Sequence, residues 1–312
     1  MSLSTRKRTI LSKIEATYGT DPVPTGAANA ILVKSVTITP METQLVSRDL
    51  IRPYMGNSEN LAGAVYGKLE IEVELAGSGT AGMAPAFGPL LRGCGLSETI
   101  SAGTSVVYAP VSSAFESVTN YFNQDGVLHK MTGSRGNVSL AMSAQGIPTL
   151  KFSFQGLYSP VIDTAPPSGV VFTAWQLPQV VNNVNTTGLT LQGFAGLVMS
   201  DLSLDLANAV TFRSLVGGIE QVLITDRKPA GSITFEATTV AAKDWWTAAR
   251  SAATGALSIT HGSVAGNQVT IAAPKVQITQ PTYSDKDGIA MIQASLVLVP
   301  SAGNDELTLT FL

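Results

Sequence analysis

Residues 68–75 read KLEIEVEL, a strict alternation of charged and apolar side chains. Successive side chains of a strand point to opposite faces, so this octet predicts a two-faced strand. Leu69, Ile71, Val73 and Leu75 share a face that needs a core. Glu70, Glu72 and Glu74 share the other, which needs water or basic partners. Similar short segments recur at Ile31–Thr39, Val138–Met142, Leu150–Phe154, Leu202–Leu206, Ile233–Thr238, Lys275–Thr279 and Ser295–Val299. Gly, Pro, Asn and Asp punctuate between them, so the chain is expected to be mainly β. Helical signals are few. Met83–Arg92 is one candidate, and Asp244–Ala253 is a better one, with Asp244 placed to cap it and Gly255 placed to stop it.

The order of these signals repeats. LVKSVTIT, an Arg48 segment, GKLEIEVEL after Gly67, a helix candidate and a hairpin from Gly136 make up the first series. LVMSDLSLDL, an Arg213 segment, GSITFEATT after Gly231, a helix candidate and a hairpin from Pro274 make up the second. Gly67 and Gly231 lie 164 positions apart. The reading is a duplicated β-rich domain: an arm over residues 1–30, a first domain over 31–160, a linker and lead-in strand over 161–194, and a second domain over 195–312. Prolines and small residues cluster at Ser159–Gly169, as in a linker.

Composition narrows the function. Charged residues are only 13% of the chain, against roughly 25% in a typical soluble domain. Much of the surface is therefore expected to be covered by other subunits. The net charge of −3 leaves no basic excess for tight nucleic-acid binding. Cys94 is the one cysteine, so no intrachain disulfide can form and a cysteine-based zinc site is not expected. Arg6, Lys7 and Arg8 precede no long apolar run, so a signal peptide is not expected. No uninterrupted apolar stretch reaches the ~18 residues of a membrane span, so no membrane insertion is expected, and synthesis in the cytoplasm is.

Two segments carry a family resemblance. Lys13–Ile31 (KIEATYGTDPVPTGAANAI) holds Tyr18-Gly19-Thr20-Asp21-Pro22 followed by small residues. Asp125–Tyr158 (DGVLHKMTGSRGNVSLAMSAQGIPTLKFSFQGLY) combines DGxLHK, TGxRGxVSL, a Gly-Pro hairpin and FxFxGLY. Both resemble the major tail tube proteins of long-tailed bacteriophages, over roughly residues 10 to 160. The resemblance implies a β-sandwich or partly closed barrel with a flanking helix in each domain. It also implies a structural role in the virion tail. Subunits of that family join their sheets into rings of six tube domains, and the rings stack into a hollow conduit for DNA ejection. A chain with two such domains would then close a pseudo-hexameric ring as a trimer. Other implied partners are the initiator or distal tail protein, the terminator and the tape measure. DNA would pass through the lumen without specific binding, and no cofactor is implied.

On this reading Glu70, Glu72 and Glu74 are candidates to line the lumen, where carboxylates would repel phosphates. Thr234 and Glu236 are their second-half counterparts. An ordinary solvated outer face, or ion pairs with a neighbour, are the alternatives. Arg48–Asn60 is long for a hairpin link. Its Arg48, Arg52 and Tyr54 are contact candidates toward an adjacent ring, or else part of a mobile surface loop. Tyr18 and Asp21 belong to an arm expected to order against a neighbour. Of Trp245 and Trp246, one is expected to pack on the sheet and the other to meet a neighbouring subunit.

His129 and His261 lack metal-ligand spacing and any nucleophile motif, so structural hydrogen bonding is expected of them. Gly133–Asn137 lacks the lysine of a phosphate loop and reads as a turn. No catalytic constellation emerges, which argues against an enzyme. The competing reading, a β-sandwich tail component that binds a receptor or carbohydrate, is weakened by an aromatic content of 6%.

Overall fold

The computed structural model describes residues 2–312. The first elements are β1 (Arg8–Ile14), α1 (Gly26–Asn29), β2 (Ala30–Ile31), β3 (Ser35–Val46), β4 (Leu61–Glu74) and α2 (Gly88–Gly93). Then come β5 (Leu96–Ser101), β6 (Ser105–Pro110), β7 (Val118–Gln124), β8 (Val127–Ser143), β9 (Thr149–Tyr158) and β10 (Ile162–Asp163). The rest are β11 (Thr186–Leu191), β12 (Met199–Asp205), β13 (Asn208–Arg213), β14 (Gln221–Arg227), β15 (Ala230–Glu236), α3 (Trp245–Arg250), β16 (Thr254–His261), β17 (Val269–Lys286), β18 (Ile289–Val299) and β19 (Thr308–Phe311). The protein is mainly β, as the alternation predicts.

All strand pairings are antiparallel. One run reads β2–β1–β7–β8–β9–β4–β3. Another reads β11–β16–β17–β18–β15–β12. β12 also pairs with the end of β8, with Leu202 opposite Met142 and Leu204 opposite Leu140, so the two runs form one large sheet. β19 lies between β17 and β6 and so adds the β5–β6 hairpin to the second run. Among the described residues, β13 and β14 stand apart as a two-stranded ribbon.

Side-chain alternation places the core. Leu69, Ile71 and Val73 face inward opposite Phe154, Phe152 and Leu150. Ile233 and Phe235 do the same opposite Ala294 and Ile292. These residues belong to a single buried cluster that spans both runs. Gly67 and Gly231 are glycines for want of room. A Cβ on Gly67 would lie 2.9 Å from the Met131 side chain, and one on Gly231 would lie 2.3 Å from the Ser203 carbonyl oxygen.

The helices are shorter than the sequence suggests. Pro89 occupies the first turn, where its missing N–H costs nothing, so α2 begins only at Gly88. Asp244 does cap α3: its Oδ1 accepts from the Thr247 N–H at 2.8 Å. Gly255 does not stop that helix. The helix ends at Arg250 with Ser251 as its C-cap, and Gly255 lies in β16, where a Cβ would meet the Gln192 backbone at 2.7 Å.

Two further readings are corrected. The N-terminal segment orders within its own chain, because β1 pairs with β7 along its whole length and buries Ile10 and Leu11. Gly133–Asn137 is not a turn but part of β8, where a bulge between Thr132 and Arg135 absorbs the left-handed Gly133.

Because Leu140 and Leu204 face each other across the β8–β12 join, Leu204→Ala is expected to cost about 2–5 kcal/mol. Urea unfolding followed by circular dichroism should show one cooperative transition at lower midpoint, with both runs melting together.

Candidate functional site

The sheet has one buried face and one polar face, and the polar face crosses the join. Directly opposed residues point to the same side. One row runs through Glu74, Thr149, Ala141, Ser203, Ser232, Ser295 and Thr279. Beside it run Ser35, Glu72, Lys151, Ser139 and Asp205, and Asp201, Thr234 and Gln293. The structure thus brings Glu70, Glu72, Glu74, Thr234 and Glu236 onto one face.

That face is acidic but partly neutralised. Lys151 Nζ lies 2.9 Å from Glu70 Oε2, and Lys34 Nζ lies 3.0 Å from Glu72 Oε1. The hydrogen bond from Lys34 holds the Glu72 carboxyl below the usual carboxylate range; slight burial opposes this, and the Ser35 hydroxyl assists it. Asp205 accepts from the Asn137 side-chain amide at 2.6 Å, which ties the two runs together across the polar face. With Asp201, Asp205 and Glu236 added, six carboxylates share this face with Lys68, Lys151, Lys275 and Lys286, and Lys34 reaches it at Glu72.

Several strands have one unpaired edge among the described residues, and two of these edges bound the polar face. β3 pairs only with β4. Beyond Gln277, β17 pairs only with β18, so Ile278–Lys286 exposes its other edge. These are the two ends of the eight-strand series β3–β4–β9–β8–β12–β15–β18–β17.

The remaining candidates are dispersed. Arg48 and Arg52 both reach Glu59, at 2.5 and 3.8 Å, within an exposed loop that also carries Tyr54. Trp245 is fully buried against Phe235 and Phe194, and its Nε1–H donates to Thr238 Oγ1 at 2.9 Å. Trp246 lies against the exposed Tyr283 at the open end of β17, with ring centroids 5.0 Å apart.

Tyr18 and Asp21 are engaged inside the chain. The Val222 N–H donates to the Tyr18 hydroxyl at 2.6 Å, and Arg135 stacks over the ring. Asp21 accepts from Tyr121 (2.5 Å), Lys130 (3.0 Å) and the Val23 N–H (2.9 Å). Burial would raise the Asp21 pKa, but these donors outweigh it and hold the carboxyl low.

His261 bonds to Thr186 and the Gln179 carbonyl, and burial lowers its pKa. His129 is also lowered by burial, but its Nδ1 has no partner among the described residues. Cys94 is buried and free, and burial pushes its thiol up. Among the described residues, no group of three or more His, Cys, Asp or Glu could hold a metal ion.

Sequence reasoning missed the groups that bind the β13–β14 ribbon to the first run. Arg135 donates to the carbonyls of Phe115, Glu116 and Val222. Asn208 donates to the carbonyls of Cys94 and Gly136. Phe212 stacks on Tyr66 at 4.9 Å. A lone arginine in the glycine-rich stretch GSRGN was the available signal, since a long cation flanked by small residues is suited to bridging carbonyls. Glu15 was missed too: it is buried and accepts from Gly19, Ser117, Thr119 and Gly133.

A large antiparallel sheet with a continuous polar face and an open strand edge at each end of that face has the form of an assembly subunit. A family model described as Phage tail tube protein matches residues 5–309, and the chain belongs to that family. It is therefore a structural, non-enzymatic component of a phage tail, and self-assembly into a tube follows from membership. No curated protein matches the chain.

The low Asp21 pKa makes acid stability a test of the Tyr121–Lys130 cluster. Its folded pKa lies below the ordinary 3.8. Its contribution is complete above that value and is lost as pH falls through the lowered folded value. Asp21→Asn should lower stability at neutral pH and flatten the loss of stability below about pH 4, read from urea midpoints across pH.

Proposed function

We propose that the chain carries two tube domains, residues 31–160 and 195–312, and that three chains close one pseudo-hexameric ring of the tail tube. The observation that carries this reading is the in-chain join of β12 to β8. In the run orders, β12 corresponds to β3 and β8 to β17. The exposed edge of β17 in one copy would then pair antiparallel with β3 of the next, as β8 pairs with β12. A head-to-tail contact closes only if its rotation fits, and a chain that already contains one such contact has that rotation built in. An open edge is otherwise a liability to uncontrolled pairing.

The polar face would line the lumen. Carboxylates there, in a narrow water-filled channel, repel DNA phosphates and keep the polymer from adhering during ejection. The ion pairs of Glu70 and Glu72 within the chain moderate that field without removing it. The initiator, terminator and tape measure proteins would meet the tube at its ends and within its bore. Assembly would take place in the bacterial cytoplasm.

Light scattering with negative-stain imaging of assembled rings should give a mass of three chains per ring. Six chains per ring would reject the proposal. Replacing Glu70, Glu72 and Glu74 together by Gln should leave tubes intact and slow DNA ejection, measured by dye release from particles. Failure of tubes to form would instead assign those carboxylates to contacts between chains.

A further inference from the structure

The β13–β14 ribbon has a counterpart whose apolar side chains are exposed. In the second run, the ribbon leaves β12 at a kink where Ala207 takes a left-handed φ of 51°, and it rejoins β15 after Lys228–Pro229. It then lies on the first run, burying Val222 completely and Ile224 to 8% exposure. In the first run, the same position between paired strands is filled by the distal part of β3 and β4. The stretches Gln44–Gly67 and Asn208–Gly231 have equal length and both end on the crowded glycine. Bulges after Thr39 and Thr43 mark where β3 departs from regular pairing. There β3 and β4 pair with each other, and Leu45, Val46 and Leu61 are 62%, 56% and 52% exposed.

The receiving surface has a counterpart too. Phe212 stacks on Tyr66, which pairs with Leu157 one step beyond Gly67 opposite Gly156. One step beyond Gly231 opposite Leu296, Ala230 pairs with Val297. Ala230 is exposed, and Val297 is 40% exposed on an otherwise polar face. At the 164-residue spacing Val46 corresponds to Val210, whose carbonyl accepts from the Gln155 side-chain amide at 3.4 Å on the same face as Leu157, so the ribbon and the step left uncovered at Val46 and Val297 have equivalents that meet inside the chain. Because the uncovered ribbon and step belong to opposite ends of the strand series, they meet between chains and not within one.

We infer that the distal β3–β4 ribbon clasps a second copy of this chain, seating Leu45 and Val46 over Ala230 and Val297 of the neighbour, as β13–β14 seats on the first run. This rests on the three-chain ring, and it adds a specific side-chain contact to the backbone pairing of the edges. The loop tip with Ile51, Tyr54 and Met55 lies beyond this contact and stays free for an adjacent ring.

Val46→Cys chains co-assembled with Val297→Cys chains and treated with a short bismaleimide should yield a covalent two-chain product. Each variant assembled alone should yield none. Cys94 is buried, so it does not compete for reagent in the folded chain. Absence of the product from rings of normal three-chain mass would overturn the clasp and leave the ring reading standing. Linkage in the Val46→Cys sample alone would also overturn it, because ribbons would then meet ribbons. Rings of six chains, or none, would sink the ring reading itself and the clasp with it. As a second test, Leu45→Glu with Val46→Glu should leave a folded chain by circular dichroism. It should raise the concentration needed for rings by at least about tenfold, since unpaired carboxylates would be buried. Rings forming at the normal concentration would reject the clasp.

Discussion

The architecture depends on the hydrogen-bond ladder between β8 and β12. Five residue pairs, Ser139–Ser143 against Asp201–Asp205, convert two strand runs into one sheet. Everything on either face follows from that register. Leu140 and Leu204 meet on the core side, and Asn137 and Asp205 meet on the polar side. A slip of one residue would exchange the faces of an entire run and place carboxylates in the core.

β8 serves four partners, with the short β10 beside Val127 and Leu128 at its start. Its start is held by β7, its middle by β9 and its end by β12. That explains its length of 17 residues and the bulge at Thr132–Arg135, where it bends from one neighbour to the next. Arg135 sits at that bend and donates to three carbonyls, two in the loop before β7 and one on β14. One side chain thus fixes the corner of the sheet, the loop before β7 and the β13–β14 ribbon.

Alternation made the strands legible. KLEIEVE appears as the end of β4 with each apolar residue buried, and Gly67 and Gly231 proved to be crowded positions within paired strands. The tertiary joins were not legible, because backbone pairing leaves no side-chain signature: nothing in VMSDLSLD says that β12 will lie on β8. β1 was hidden by its setting, since Ile10 and Leu11 stand in a segment dominated by charge, Gly and Pro. The ribbon kink was hidden because Ala207 is not a residue that announces a left-handed turn. Among the site residues, the shared face of Glu70, Glu72 and Glu74 followed directly from period two. The lysines that moderate two of them lie on other strands, so their positions depended on register.

The covalent link between the two runs has a thermodynamic consequence. The β12–β8 ladder forms within one molecule, so its occupancy is independent of how dilute the protein is, whereas the bare margins of β3 and β17 can be filled only at a cost in translational and rotational freedom. In the proposed ring, tethering makes one seam permanent and leaves the outer two reversible, so a chain below its assembly threshold would retain a finished core and a finished polar face. Such a chain would be added whole.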